Sequence, residues 1–504
     1  MKRYFILAGL CAAFAGSIAA QGNAAALAAR QWRQNHERAI LDEFFSLLSV
    51  PNIARDKTDI QRNAEMIEAM MEKRGVPAKL VSVPGANPVV FGEIKTPGAT
   101  RTIVFYAHYD GAPLDPKAWA TPPFQPVLRN GTIGNDGAVV PLPAPGTPVN
   151  PEWRIYARSS GDDKAPIIAI LAALDAIRAD GLSMKSNIKF AFEGEEEEGS
   201  PNFAKILAAN KELFAGDVWL TCDMPSHQSG RQLLVFGDRG ISGVDITVYG
   251  PRVELHSGHY GNWAPNPAMM LAKLLASMKD DNGRVLIDHF YDGIVPLSET
   301  EKQALAAVPD MDTELMREFW LGATEGAPKP LAELLMLPSL NVRGMSSGRT
   351  GPQASNVIPS SATATIDMRL VKGMDPDATA DRLIDFVRKQ GYFVVDSEPG
   401  ADVRRSHAKV AWITRSQGEK AFRTPMDLPI SQEVIRTVES ARGATVLMPS
   451  SGATVPDAAG EVLGIPNIVV PIANFDDNQH SFDENLRIQN LWDGIDLMAA
   501  LLTM

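Results

Sequence analysis

The sequence predicts an α/β protein with a mainly parallel sheet flanked by helices, interrupted by an inserted α+β domain. Three observations carry this reading. Short apolar runs (KLVSV, VVFGEI, RTIVFYAHYD, NIKFAF, DVWLTC) alternate with helical segments up to about residue 223, the rhythm of strands joined by crossover helices. Near Gly240 the style changes to strands such as ISGVDITVYG and SATATIDMRLV, with helices at NPAMMLAKLLASM and DATADRLIDFVRKQ. After about residue 424 the first style returns in SQEVIRTVESARG, IPNIVVPI and NLWDGIDLMAALL. The expected division is 1–20 as a leader, 21–239 with 425–504 as the first domain, and 240–424 as the insert. A chain of 504 residues suits two domains, each with its own core.

Taken in order, MKRYFILAGLCAAFAGSIAA has a basic start, a short apolar stretch and small residues near Ala20. That is the layout of a secretory signal, and its apolar part is short for a membrane span. Export to the periplasm is therefore expected, with no stable membrane span. The mature chain would keep only Cys222, so no intramolecular disulfide is expected. Residues 27–49 carry helical periodicity ended by Pro51, and QRNAEMIEAMMEKRG reads as a second helix. In DKAPIIAILAALDAIRA, Ile167, Ile170, Leu171, Leu174 and Ile177 fall on one helical stripe. Residues 134–152, rich in Gly and Pro, read as a loop. A net charge of −12 argues against nucleic acid or an anionic membrane as partner.

The stretch FEGEEEEGS places Glu195 to Glu198 directly after an apolar strand. Such crowded carboxylates form a solvated turn or face something strongly positive. Other candidate ligands occupy the same kind of position. His108 and Asp110 close the strand RTIVFYAHYD, Asp162 precedes a helix, Asp223 follows DVWLTC, and His480 sits in a polar loop before the last helix. Alone, His108 reads as a satisfied histidine and Asp162 as a helix N-cap. Together, histidines and carboxylates gathered outside the carboxyl ends of strands suit divalent ions such as zinc or manganese.

In order along the chain, HYDGAP, RSSGDDKAP, EGEEEEGS, TCD and NQHS resemble the metal-binding motifs of the dinuclear-zinc exopeptidases. That family includes carnosinases, bacterial dipeptidases, aminoacylases and succinyl-diaminopimelate desuccinylase. WATPPFQPV, LHSGHYGN, SNVIPSSATATIDMRLV and HSFDENL resemble its carnosinase-type branch. The resemblance implies a metal-dependent catalytic domain, an inserted lid and dimerisation domain, and two divalent metal ions, zinc or manganese. It implies His108 and Asp223 on one ion, Glu197 and His480 on the other, and Asp162 bridging both. Glu196 would be the general base and Asp110 would orient His108. His256 would reach across a homodimer into the partner's site, while Asn356, Arg369 and Thr454 would contact substrate. Glu195 and Glu198 read as solvated.

The expected function is hydrolysis of dipeptides or short peptides with a free C-terminal carboxylate. N-acyl amino acids are an alternative substrate on the same metal core, and a non-catalytic peptide-binding protein is an alternative of another class. GMSSG (344–348) fits the serine-hydrolase motif G-x-S-x-G, but the following RTGPQ cannot open the helix that motif needs.

Overall fold

The computed structural model describes residues 22–453 and 457–504. The leader at 1–20 and Thr454 lie outside the described residues. An eight-stranded sheet forms the core of the larger part. Its order is Ala78–Val81, Val89–Ile94, Asn187–Glu193, Thr102–His108, Val218–Thr221, Asn467–Val469, Leu233–Val235, Val446–Met448. The centre, from Asn187–Glu193 to Asn467–Val469, is parallel. The flanks are not uniformly so. Ala78–Val81 and Val89–Ile94 join antiparallel, as does Leu233–Val235 against Asn467–Val469. The mainly parallel sheet expected is thus a mixed sheet with a parallel centre. Ala78–Val81 runs straight into Val89–Ile94 through a connection too short for the crossover a parallel pair requires.

Helix Lys164–Ala179 lies under the parallel centre, packed with Ala24–Gln34 and Ile488–Leu502. It is buried on almost every side, not along one stripe, and even Lys164 is enclosed. A helix apolar all round belongs inside a core. The periodic stretch at 27–49 forms two helices, Ala24–Gln34 and Glu37–Leu48. Between them the His36 ring stacks on Trp32 and its Nδ1 lies 2.7 Å from the Trp32 carbonyl. Part of 134–152 is strand as well: Val139–Val140 pairs with Val127–Arg129 in a small four-stranded sheet completed by Arg154–Tyr156 and Asn485–Arg487.

A second, five-stranded sheet has the order Ser339–Ser346, Ser361–Leu370, Gly240–Tyr249, Val410–Arg415, Phe393–Val395. Helices Pro267–Ala276 and Pro376–Lys389 bury Leu271, Leu274, Leu383 and Val387 against it, giving a separate core. Gly237–Asp238 pairs with Phe422–Arg423, so the chain's passage toward this sheet and its return run side by side. Residues 299–337 leave the second core: Val308, Ala332, Leu335 and Met336 pack on Leu233, Val446 and Met448 of the large sheet. The GMSSG stretch lies at the end of edge strand Ser339–Ser346 and is followed only by a three-residue 3-10 turn, Gly351–Gln353, so there is no nucleophile elbow. Among the described residues no helix is long and apolar enough to cross a membrane.

Candidate metal centre

The parallel strands deliver the cluster at their carboxyl ends. Strand Thr102–His108 ends on His108, and Val218–Thr221 leads to Asp223 two residues on. Asp162 lies just before helix Lys164–Ala179; Asp163 occupies the N-cap position, but its side chain makes no capping bond. Its Oδ2 accepts the backbone N–H of His108 at 3.1 Å. Asp162 is left free to face both histidines. His108 Nε2 lies 2.9 Å from Asp162 Oδ1, and His480 Nε2 lies 3.1 Å from Asp162 Oδ2 and 3.2 Å from Glu197 Oε2. Two groups of donors result, His108–Asp162–Asp223 and Asp162–Glu197–His480, the atoms of each within 4.8 Å of one another. Asp162 belongs to both.

Asp110 does two jobs where one was expected. Its Oδ1 lies 3.4 Å from His108 Nδ1, on the ring edge opposite Asp162. Its two oxygens also accept the backbone N–H groups of Glu196 and Glu197, at 3.1 and 3.0 Å. His108 Nδ1 also lies 3.1 Å from the Asp110 backbone carbonyl, so one residue holds the imidazole and the acidic turn together. Glu196 reaches the cluster from this turn, its Oε2 lying 3.9 Å from His108 Nε2. Close approach of backbone explains two glycines here. A Cβ on Gly194 would sit 2.3 Å from the Tyr109 hydroxyl, and one on Gly111 2.6 Å from Ser159 Oγ.

Of the outer glutamates, Glu195 is not solvated as the sequence suggested, while Glu198 stays partly exposed. Glu195 is buried and accepts the backbone N–H groups of Asn87 and Asn202, at 3.1 and 3.0 Å. Glu198 pairs with Arg55 at 2.8 Å. The run divides by direction: the middle pair faces the cluster, and the outer pair anchors the turn.

The protein's own groups leave the cluster electrostatically unbalanced. Burial, reinforced by Asp162, pushes Glu197 up to about 8 and Asp223 up to about 6. Burial also raises Glu196 well above the usual carboxylate range, His108 opposing and Asp223 adding to the rise. Burial opposes the charged form of His108, but hydrogen bonds to Asp110 and Asp162 outweigh it and raise the ring well above its ordinary value. His480 is raised to about 9, first by its bond to Asp162. Glu197 Oε1 is buried with no hydrogen-bond partner. Buried carboxylates crowded beside two imidazoles, with an oxygen unmatched, are the donor set that divalent cations complete. The residues present fit such ions. Cys222 is buried, and its thiol lies 3.7 Å from the Leu220 carbonyl, so the donors are nitrogen and oxygen.

The remaining expected residues lie on the second sheet's side. His256 and Asn356 sit together and exposed: His256 pairs with Val357, and the Asn356 carbonyl accepts the Ser257 N–H at 2.8 Å. The structure does not bring either into hydrogen bond or ion pair with the cluster residues. Arg369, about a third exposed, stands near the end of Ser361–Leu370, with Nε 3.5 Å from Asp367. Next to it lies Arg239, which sequence reasoning missed. Burial, then the neighbouring Arg369, lowers Arg239 to about 10, and its Nη2 donates to the Leu337 carbonyl and Ser339 Oγ. Its only sequence signal was a position at the domain junction. A cavity of about 390 Å³ opens beside Met224, lined mostly by apolar groups including Leu233, Leu305, Val308, Leu335 and Phe475.

The fold and site together describe a mixed α/β protein with a donor cluster suited to divalent ions at the carboxyl ends of its parallel centre. The chain belongs to peptidase family M20/M25/M40, whose family model matches residues 104–504. It is accordingly a metallopeptidase, and its carnosinase-like features fit that family. A Cys-Gly metallodipeptidase of Schizosaccharomyces pombe is 25% identical over 489 residues, 90% of this chain and 94% of that protein. The human Beta-Ala-His dipeptidase is 26% identical over 430 residues, 82% of this chain and 76% of that protein. Among solved structures, an M20 metallo-carboxypeptidase of Sulfolobus solfataricus superposes with a TM-score of 0.72 at 26% identity, covering 92% of this chain and 98% of that one. Human carnosine dipeptidase 1 shares the fold with a TM-score of 0.71 at 22% identity, covering 96% and 99%.

Proposed function

We propose that this metallopeptidase holds two divalent ions and hydrolyses dipeptides or short peptides with a free C-terminal carboxylate. The observation that carries the reading is Asp162, one buried carboxylate shared by two donor groups. In the proposal His108 and Asp223 hold one ion and Glu197 and His480 the other. The nitrogen and oxygen donors suit zinc or manganese. The bound ions would supply the positive charge that polarises the scissile carbonyl and acidifies a water. Glu196 would take the proton of that water and pass it to the leaving amine. Asp110 keeps the His108 ring turned toward Asp162.

Arg369 would grip the substrate carboxylate, with Arg239 adding positive charge beside it. The apolar cavity at Met224 would take an apolar substrate side chain. The names of the relatives support a dipeptidase: one acts on Cys-Gly, another on β-Ala-His. A homodimer is part of the proposal, because His256 is exposed among exposed Tyr260, Trp263 and Met269. A partner subunit seated there would cover that apolar patch. Export to the periplasm is proposed from the leader-like N-terminus, and sequencing the N-terminus of protein recovered from the periplasm checks it.

The test of function is a panel of dipeptides, longer peptides with free or amidated C-termini, and N-acyl amino acids. Chelator-sensitive cleavage confined to short peptides with free carboxylates is expected. Cleavage of the N-acyl amino acids alone would overturn the substrate class. No hydrolysis after metal is restored would leave a peptide-binding protein.

A further inference from the structure

Glu484, four residues beyond His480, is fully buried, and both its oxygens are occupied. Oε1 accepts the backbone N–H groups of Gly161 and Asp162, at 2.9 and 3.0 Å. Oε2 accepts the Ser159 N–H at 2.9 Å and Arg158 Nη1 at 2.8 Å. Arg158 is itself fixed: its guanidinium lies over the Trp119 ring, and Nη2 donates to the Ser481 carbonyl at 3.2 Å. One side chain therefore joins the loop that carries Asp162 to the loop that carries His480.

Both loops need such a clasp. Ser159, Asn478, His480 and Asp483 all have positive φ without being glycine (+63°, +58°, +58° and +57°). Asn and Asp adopt that conformation more readily than other L-residues, and at Ser159 and His480 surrounding contacts hold it in place. The other half of the cluster sits closer to regular structure: His108 closes a strand of the parallel centre, and Asp223 lies two residues past the neighbouring strand, just after Cys222, whose N–H bonds the Tyr106 carbonyl.

We propose that Glu484 is the positioning residue for the ion shared by Glu197, His480 and Asp162. In this role it sets that ion's affinity and touches the ion on His108 and Asp223 only secondarily, through Asp162, the carboxylate both donor groups share. The inference rests on the dinuclear reading above. Four N–H groups converge on Glu484, so an amide there must turn its NH2 against two of them, with nothing to accept. Residues that orient metal ligands typically change affinity by about 10- to 100-fold when replaced.

The experiment is a titration of the chelator-stripped full chain with zinc, followed by calorimetry, for wild type, Glu484→Gln and Arg158→Gln. The melting temperatures of the metal-free proteins are measured alongside. Wild type is expected to take up two ions. In Glu484→Gln one ion should bind about 10- to 100-fold more weakly, and the other should weaken by clearly less. Arg158→Gln, which removes one of the four donors, should shift the same ion by less and covers the case in which Glu484→Gln fails to fold. Two ions bound with wild-type affinities in the folded variants would overturn the inference. So would an equal weakening of both ions in step with a lower metal-free melting temperature, the mark of a purely structural role. Fewer than two ions on wild type would overturn the dinuclear reading and this inference with it.

Discussion

The two halves of the metal cluster are built differently. His108 and Asp223 are buried at, or two residues past, the ends of parallel strands, while His480 is 60% exposed on a loop with several left-handed residues. The first half inherits its geometry from the fold, so a sheet that forms at all places it. The second half must be assembled by side-chain bonds between loops, which cost conformational entropy and open more easily. Asp162 and Asp110 cross the divide, one facing both histidines and the other bonding both His108 and the acidic turn.

Glu196 should show the largest effect, because it serves the reaction without belonging to either half. Glu196→Ala is expected to lower turnover by roughly 10²- to 10⁴-fold while metal content, read by atomic emission, stays at the wild-type level. Loss of metal along with turnover would put Glu196 among the ligands instead. Next come the two histidines. His108→Ala should strip metal from the strand-built half and weaken its partner through Asp162, while His480→Ala should release one ion and retain the other. If both variants bind metal alike in calorimetry, the contrast between the halves is wrong.

The positions of these donors were legible in the sequence because each follows an apolar run or precedes a helix. The supports were not. Glu195 looked like one more charge in a solvated run, yet it holds Asn87 and Asn202 by their backbone N–H groups. Glu484 sat inside a quoted motif, and its partners lie more than 300 residues away in sequence. Arg239 stood at a domain junction, where nothing local marks its neighbour Arg369. The antiparallel flanks of the large sheet and the packing of 299–337 against it were missed for the same reason. Periodicity reports which face is buried, not which surface buries it.

Arg369 sharpens the comparison from the substrate's side. Arg369→Ala should lower kcat/KM on free dipeptides by about 10- to 100-fold, the scale of a charge-assisted bond, and barely change cleavage of amidated analogues. Equal losses on both would remove it from carboxylate recognition. A smaller effect belongs to the apolar cavity: Val308→Asp should reduce the preference for Leu over Ala in a dipeptide by roughly tenfold, measured as a ratio of kcat/KM values.

A pH series separates the ions from the fold. Glu197 and Asp223 have folded pKa values of about 8 and about 6, above the ordinary carboxylate range. Their contribution to metal-free stability is complete below about pH 4, the unfolded value, and is lost as pH rises through 6 and then 8. Metal binds the ionised carboxylates and must displace their protons. The melting-temperature gap between metal-loaded and metal-free protein should therefore widen from pH 5 to pH 8. A gap that stays constant would mean these carboxylates do not meet the ions.

The most direct measurement follows dipeptide hydrolysis while zinc or manganese is returned stepwise to the chelator-stripped chain. Turnover should be absent without metal and reach its full level only as the second equivalent is bound. Hydrolysis that survives complete metal removal, or that saturates at one equivalent, would contradict the dinuclear reading.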